Sequence, residues 1–253
     1  TPLIGSDAAI PLSYPLLLSS RAAMHDLTIV FDLDGTLVDT APDLLRCANH
    51  ALGLAGLAPV AIEALRPVIS HGAKAMIERG LAMHGKRLTD SEIDRLFKRF
   101  IDHYVATISQ ESRPFPGLLA VLDHLEASGA RLAVCTNKLA GMSHRLLDDL
   151  DMSRRFRFLA GRDTFPYCKP HPAHLLRTIE QAGGKPDRSV MVGDSDVDLA
   201  TARAAGIPMI AVGFGYCDPP VASLGPDALV DHYDDFPAAL QQILSIKLPT
   251  PPS

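Results

Sequence analysis

Five short apolar runs punctuate this chain, and each breaks off into a small or acidic residue: "LTIVFD" (27–32), "RLAVCTN" (131–137), "SVMVGD" (189–194), "IPMIAVG" (207–213) and "ALVD" (228–231). They are continuously apolar rather than alternating, as strands covered on both faces must be. Helical segments lie between them. Pro116 and Gly117 open "GLLAVLDHLEASG" and Gly129 closes it; "HPAHLLRTIEQAGG" and "DVDLATARAAG" follow the same start and stop logic. Strands alternating with helices predict an α/β fold, a parallel sheet with right-handed crossovers.

Residues 41–113 break that rhythm. They read as helices only: "APDLLRCANHALGLAG", "IEALRPVI", "GAKAMIERGLAMHG" and "TDSEIDRLFKRFIDHYVATI". Thr89 followed three residues later by Glu92 forms a capping-box pattern. The stretch is therefore a helical insertion between the first strand and the rest of the sheet. Before Met24, residues 1–23 contain "IPLSYPLLLSSRAA", an apolar segment broken by Pro11 and Pro15 with no basic residues ahead of it. It is too short to span a bilayer and is read as a flexible extension. Residues 248–253, "LPTPPS", read as a disordered tail.

The composition, 47% hydrophobic and 21% charged over 253 residues, suits a folded globular chain with room for a real core. A net charge of −5 leaves no electrostatic footprint for nucleic acid. The basic trio Arg154, Arg155 and Arg157 reads as a solvated helix end. The four cysteines, Cys47, Cys135, Cys168 and Cys217, form no CxxC pair, which favours free thiols and a reducing cytoplasm. His171 and His174 lack a third ligand and read as surface or capping residues.

The chemistry lies where the runs stop. Ligands of an open α/β sheet gather at the carboxyl ends of its strands. Asp32 and Asp34, Thr136 and Asn137, and Asp194 with Asp198 all fall there, and Lys169 sits in a loop just before a helix. Several carboxylates on one edge repel each other unless a cation neutralises them, and an oxygen-only donor set favours Mg²⁺ over zinc. A carboxylate is a competent nucleophile toward phosphorus. A second one, two residues on, can protonate a leaving alkoxide and later deprotonate water. Lys169 and the Thr136 hydroxyl suit a transferring phosphoryl group, and Gly35 lets the chain turn behind the pair. Asp196 is read as a helix-capping acid only. A calcium loop is excluded, because Gly35 falls fourth from Asp32 instead of sixth.

"FDLDGTLVDT", "CTNK", "KPHP" and "VGDSDVD" resemble the four motifs of the haloacid dehalogenase superfamily, in that family's order and across residues 27 to about 245. The resemblance implies a Rossmann-like core over 24–40 and 114–247 with an inserted helical cap over 41–113. It implies that Asp32 is the nucleophile and Asp34 the acid/base, with Thr136, Asn137 and Lys169 holding the phosphoryl group. It also implies Mg²⁺ on the side chains of Asp32 and Asp194 and the main-chain carbonyl of Asp34, with Asp198 and Gly35 in support. "TNK", "PFPG" and "GPDALVDHYDDFPAAL" are similar to the phosphoglycolate phosphatase branch. The expected substrate is a small phosphorylated metabolite, 2-phosphoglycolate in particular; the alternatives are a β-phosphoglucomutase-like phosphomutase and a non-catalytic binding protein. Where that branch often has Gly-x-Gly in its cap loop, this chain has Ser70-His71-Gly72. Those residues, with Lys74 if it faces inward, are the expected reader of the substrate's carboxylate. The sequence leaves the oligomeric state open.

Overall fold

The computed structural model describes Met24 and residues 26–246; the readings of residues 1–23 and 248–253 lie outside them. Six parallel strands form one sheet in the order β5-β4-β1-β6-β7-β8: β1 (Thr28–Phe31), β4 (Arg131–Cys135), β5 (Phe158–Ala160), β6 (Ser189–Gly193), β7 (Met209–Val212) and β8 (Ala228–Val230). Five of these are the apolar runs, and the register sets Phe31 beside Val134 on one side and Val192 on the other. Strand β5 was not expected. Its run, Phe-Leu-Ala, comes directly after the arginines at 154, 155 and 157, which hide so short an apolar stretch, and it sits at the sheet edge.

Alternate side chains along each strand enter different cores. Ile29, Phe31, Leu132, Val134, Val190 and Val192 pack on one face with α5 (Leu118–Ala127) and α9 (Phe236–Ile246). Val30, Ala133, Met191, Met209 and Ala211 pack on the other with α7 (Pro172–Gln181) and α8 (Asp196–Ala205). Covering both faces is what forces the strands to be apolar throughout. Helix α6 (Ala140–Asp149) follows β4. The basic trio flanks a short 3₁₀ turn, where Arg155 is tied to Asp123 and Glu126 of α5, each at 2.6 Å.

Between β1 and β4 the chain leaves through β2 (Val38–Asp39) and returns through β3 (Arg113–Pro114), which pair antiparallel. Everything between these two short strands is helical: α1 (Ala41–Leu54), α2 (Ile62–Leu65), a 3₁₀ turn over Arg66–His71, α3 (Ala73–Met83) and α4 (Asp90–Ala106). The expected capping box opens α4, with the Thr89 amide and hydroxyl both donating to Glu92. Among the described residues no helix is long and apolar enough to cross a membrane.

The insertion is fastened where its two ends meet. Asp43, fully buried in the first turn of α1, accepts hydrogen bonds from the Glu111 and Ser112 amides, the Ser112 hydroxyl and Arg46. Burial alone would raise its pKa, but the bonds from Ser112 and Arg46 outweigh that and hold the carboxyl below its ordinary value. Asp43→Ala strands several buried donors at once. It is expected to lower the unfolding free energy by about 2–3 kcal/mol, read by urea titration; a loss within error of zero would show that the ends are held by packing alone.

Candidate active site

Strands β4, β1 and β6 are neighbours and end side by side. Thr136, Asp32 and Asp194 are the residues that follow them. The Asp32 amide still donates to Val192 O at 2.9 Å, so its side chain leaves the sheet at a fixed place. Asp198 comes from the first turn of α8, where Ser195 is the N-cap and the two close a capping box. Lys169 reaches in from the loop ahead of α7, which the side chain of His171 caps.

These residues form one buried cluster. Asp32, Asp194 and Asp198 present carboxylate oxygens within 4.8 Å of one another, and each residue is less than a tenth exposed. The Lys169 ammonium lies 2.5 Å from Asp198 Oδ1 and 2.9 Å from Asp32 Oδ1. Lys169 thus bridges Asp198 and Asp32. Burial pushes the Asp32 carboxyl up to about 6 against the pull of Lys169, and Asp198 and Asp34 add to the rise. Burial, then the charges of Asp198 and Asp32, also raises Asp194 well above the usual carboxylate range. One lysine therefore faces three carboxylates, which is the charge pattern of a cation site.

The walls around Asp194 admit no side chain. Gly35 turns with φ +79°, and a Cβ there would come within 2.5 Å of Asp194 Oδ2. A Cβ on Gly215 would collide with the same carboxylate. The Tyr216 amide donates to Asp194 Oδ2 at 2.7 Å, and the Thr36 hydroxyl lies 3.3 Å from Oδ1. Tyr216 also anchors the start of the insertion: its hydroxyl donates to Asp39 Oδ1 and accepts from the Thr40 and Ala41 amides.

Asp34 occupies different surroundings. Its side chain is a quarter exposed. Oδ1 accepts from the Thr40 hydroxyl at 2.7 Å and from Lys138 Nζ at 2.8 Å, and Oδ2 lies 3.1 Å from the same ammonium. Lys138 follows the Thr-Asn pair that the sequence singled out, yet a lone lysine after a strand carries no sign of where it will point. Burial works against its charge, but Asp34 and Tyr104 raise its pKa and keep it protonated.

Thr136 is buried, and its oxygen accepts from the Lys138 amide at 3.2 Å. The side-chain amide of Asn137 donates to the Lys169 carbonyl at 3.0 Å and so steadies the loop that carries the lysine. Asp196 is exposed at the start of α8, as expected of a capping acid. His174 corrects the expectation of a surface or capping residue. It is fully buried, its ring nitrogens facing Gly161 O at 3.2 Å and the Cys135 thiol at 3.5 Å. Burial, and then the charge of Lys169, lowers its pKa to about 4, so it stays neutral.

Ser70, His71 and Gly72 are exposed where the 3₁₀ turn meets α3, and Gly72 has φ +91° at the helix N-cap. Lys74 does not face inward. It pairs with Asp94 of α4 at 2.9 Å, both side chains about half exposed or more. Surface pairing leaves it no free charge for the cluster.

A parallel sheet with buried aspartates at adjacent strand ends, and a helical insertion after the first strand, is the arrangement of one hydrolase family. The chain belongs to it: the family model described as haloacid dehalogenase-like hydrolase matches residues 29–212. Within the family it is similar to two enzymes named phosphoglycolate phosphatase. The one from Mesorhizobium japonicum is 46% identical over 85% of this chain and 95% of its own length. The one from Caulobacter vibrioides is 43% identical over 88% and 96%. The crystal structure of a predicted phosphoglycolate phosphatase from Haemophilus somnus superposes with a TM-score of 0.78 at 30% identity, covering 86% of this chain and 99% of that one.

The raised carboxyls set a pH window. Asp32 and Asp194 bind protons more tightly folded than unfolded, so their contribution to stability is fully present below about pH 4; that of Asp32 is lost as pH rises through about 6, and that of Asp194 as pH rises through its own raised value. A divalent cation bound at the cluster offsets that loss. Adding millimolar MgCl₂ is therefore expected to raise Tm by several degrees at pH 7.5 and by much less at pH 5. Equal shifts at both pH values would separate the cluster from cation binding.

Proposed function

We propose that this chain is a Mg²⁺-dependent phosphatase that hydrolyses a small phosphomonoester, 2-phosphoglycolate in particular, to the alcohol and phosphate. The observation that carries this reading is the unequal setting of two carboxylates only two residues apart. Asp32 is buried and paired with Lys169 at 2.9 Å. Asp34 is partly exposed and held by Thr40 and Lys138. Different surroundings suit different roles.

The donor set fits the ion. Both oxygens of Asp198 are taken, one by Lys169 and the other by the Ser195 amide and hydroxyl. Asp32 and Asp194, with the main-chain carbonyl of Asp34 that the family resemblance implies, would hold Mg²⁺ through oxygen alone. When bound, Mg²⁺ neutralises the carboxylates and the incoming phosphate.

In the first step an Asp32 oxygen attacks phosphorus. The P–O bond to the leaving group breaks, and Asp34 gives that oxygen its proton. In the second step Asp34, now a carboxylate, takes a proton from water as the water attacks the aspartyl phosphate. Phosphate departs and Asp32 is restored. Lys169 and the Thr136 hydroxyl bind the phosphoryl oxygens, while Asn137 holds the Lys169 loop in place. Helices 41–113 act as a cap over the 24–40 and 114–247 core and exclude water. The free cysteines are in keeping with a reducing cytoplasm.

The glycolate substrate is supported by the names of the relatives and by the turn before α3. With Lys74 engaged by Asp94, the substrate's carboxylate is left to the amides and side chains of Ser70, His71 and Gly72.

Two outcomes follow. In a phosphate-release screen over small esters with Mg²⁺, the wild type turns over 2-phosphoglycolate and Asp32→Asn loses at least about 10³-fold; residual activity within a few-fold of wild type would sink the mechanism. His71→Ala should weaken 2-phosphoglycolate hydrolysis more than that of p-nitrophenyl phosphate, by about 10-fold. Parallel losses on both esters would place carboxylate recognition elsewhere in the cap.

A further inference from the structure

Lys138 is a buried cation with no part in the chemistry above. Its side chain is 7% exposed. An ammonium removed from water needs acceptors for its N–H groups. This one finds three: both oxygens of Asp34, at 2.8 and 3.1 Å, and the Tyr104 hydroxyl at 2.6 Å. The Tyr104 ring also lies with its centroid 4.6 Å from the ammonium, within reach of a cation–π contact. Tyr104 is itself buried, and it belongs to α4 of the insertion. So the ammonium touches the sheet-edge carboxylate on one side and the helical layer on the other.

Donors around Asp34 are unevenly shared. Oδ1 receives two short bonds, from Thr40 and Lys138, while Oδ2 has only the longer contact. The carboxylate is thereby fixed in rotation, with Oδ2 the less engaged of its two oxygens.

We propose that Lys138 and Tyr104 are positioning residues for proton transfer: Lys138 fixes the orientation of Asp34, and Tyr104 makes that orientation depend on how α4 is seated against the sheet. The inference rests on the reading of Asp34 as the acid/base. Neither residue belongs to the set proposed to hold the phosphoryl group. Both act through Asp34, so their loss falls on the step that needs a proton donor.

That step can be isolated. Single-turnover release of the leaving group reports phosphorylation of Asp32 alone. 2-Phosphoglycolate has a poor leaving group that needs a proton; p-nitrophenyl phosphate has a good one that does not. Lys138→Met is expected to slow glycolate release on the order of 10²-fold at saturating substrate, and Tyr104→Phe, which keeps the ring and the fold, about 10-fold. Release of p-nitrophenol should change by no more than about threefold in either variant.

Equal losses on the two esters would overturn the proposal. So would a change confined to the half-saturating concentration of 2-phosphoglycolate, which would make Lys138 a contact of the substrate's carboxylate. Asp34→Asn is the control. If it discriminates between the esters and Tyr104→Phe does not, the positioning role fails alone. If Asp34→Asn does not discriminate, the acid/base reading fails and takes this inference with it.

Discussion

Three buried carboxylates share one lysine, and most of the architecture answers that charge imbalance. An uncompensated buried charge costs several kcal/mol even after the protein relaxes. The fold meets that cost with fixed donors and with space. The Tyr216 and Ser195 amides point at carboxylate oxygens. Gly35, Gly193 and Gly215 each lie where a Cβ would strike Asp194 or Asp198. Only a parallel sheet sets Thr136, Asp32 and Asp194 side by side, because parallel strands end on the same edge.

The same loop that makes the cluster also joins it to the helical layer. From Leu33 to Val38 the chain coils tightly, with the Leu37 and Val38 amides both donating to Leu33 O. Asp34 lies within that coil, and Thr40, which bonds it, opens α1. Tyr216 bonds Asp194 through its amide and the start of α1 through its hydroxyl. Asp43 then ties α1 to the returning chain at Ser112. A displacement of the helices is therefore felt at Asp34 and Asp194 through a few short hydrogen bonds. Packing still supplies the bulk of the adhesion, since Leu52, Met76 and Phe100 share one core with Phe31 and Val192.

How much of this the sequence disclosed follows from what kind of signal each feature leaves. Doubly covered strands leave apolar runs, so five of the sheet's six strands were legible, while β5 was hidden by the arginines just ahead of it. The aspartates were legible because a carboxylate closing an apolar run has no reason in folding. Direction is what the sequence withheld. Lys74 and Lys138 look alike in the chain, yet one lies on the surface against Asp94 and the other is buried against Asp34. His174 is three residues from His171, but helix α7 turns His171 to its own N-terminus and His174 into the core. Such differences arise from helix phase and tertiary contact, which a motif does not record.

Asp194 and Asp198 share a motif, and their surroundings separate their work. Asp198 has an ammonium on one oxygen and the helix N-cap on the other. Its charge is spent on holding Lys169, and the N-terminal end of α8 adds a favourable dipole. Lys169 is thereby held between Asp198 and Asp32. Asp198 is thus a counterweight: by drawing the ammonium to itself at 2.5 Å, it fixes the positive charge beside Asp32.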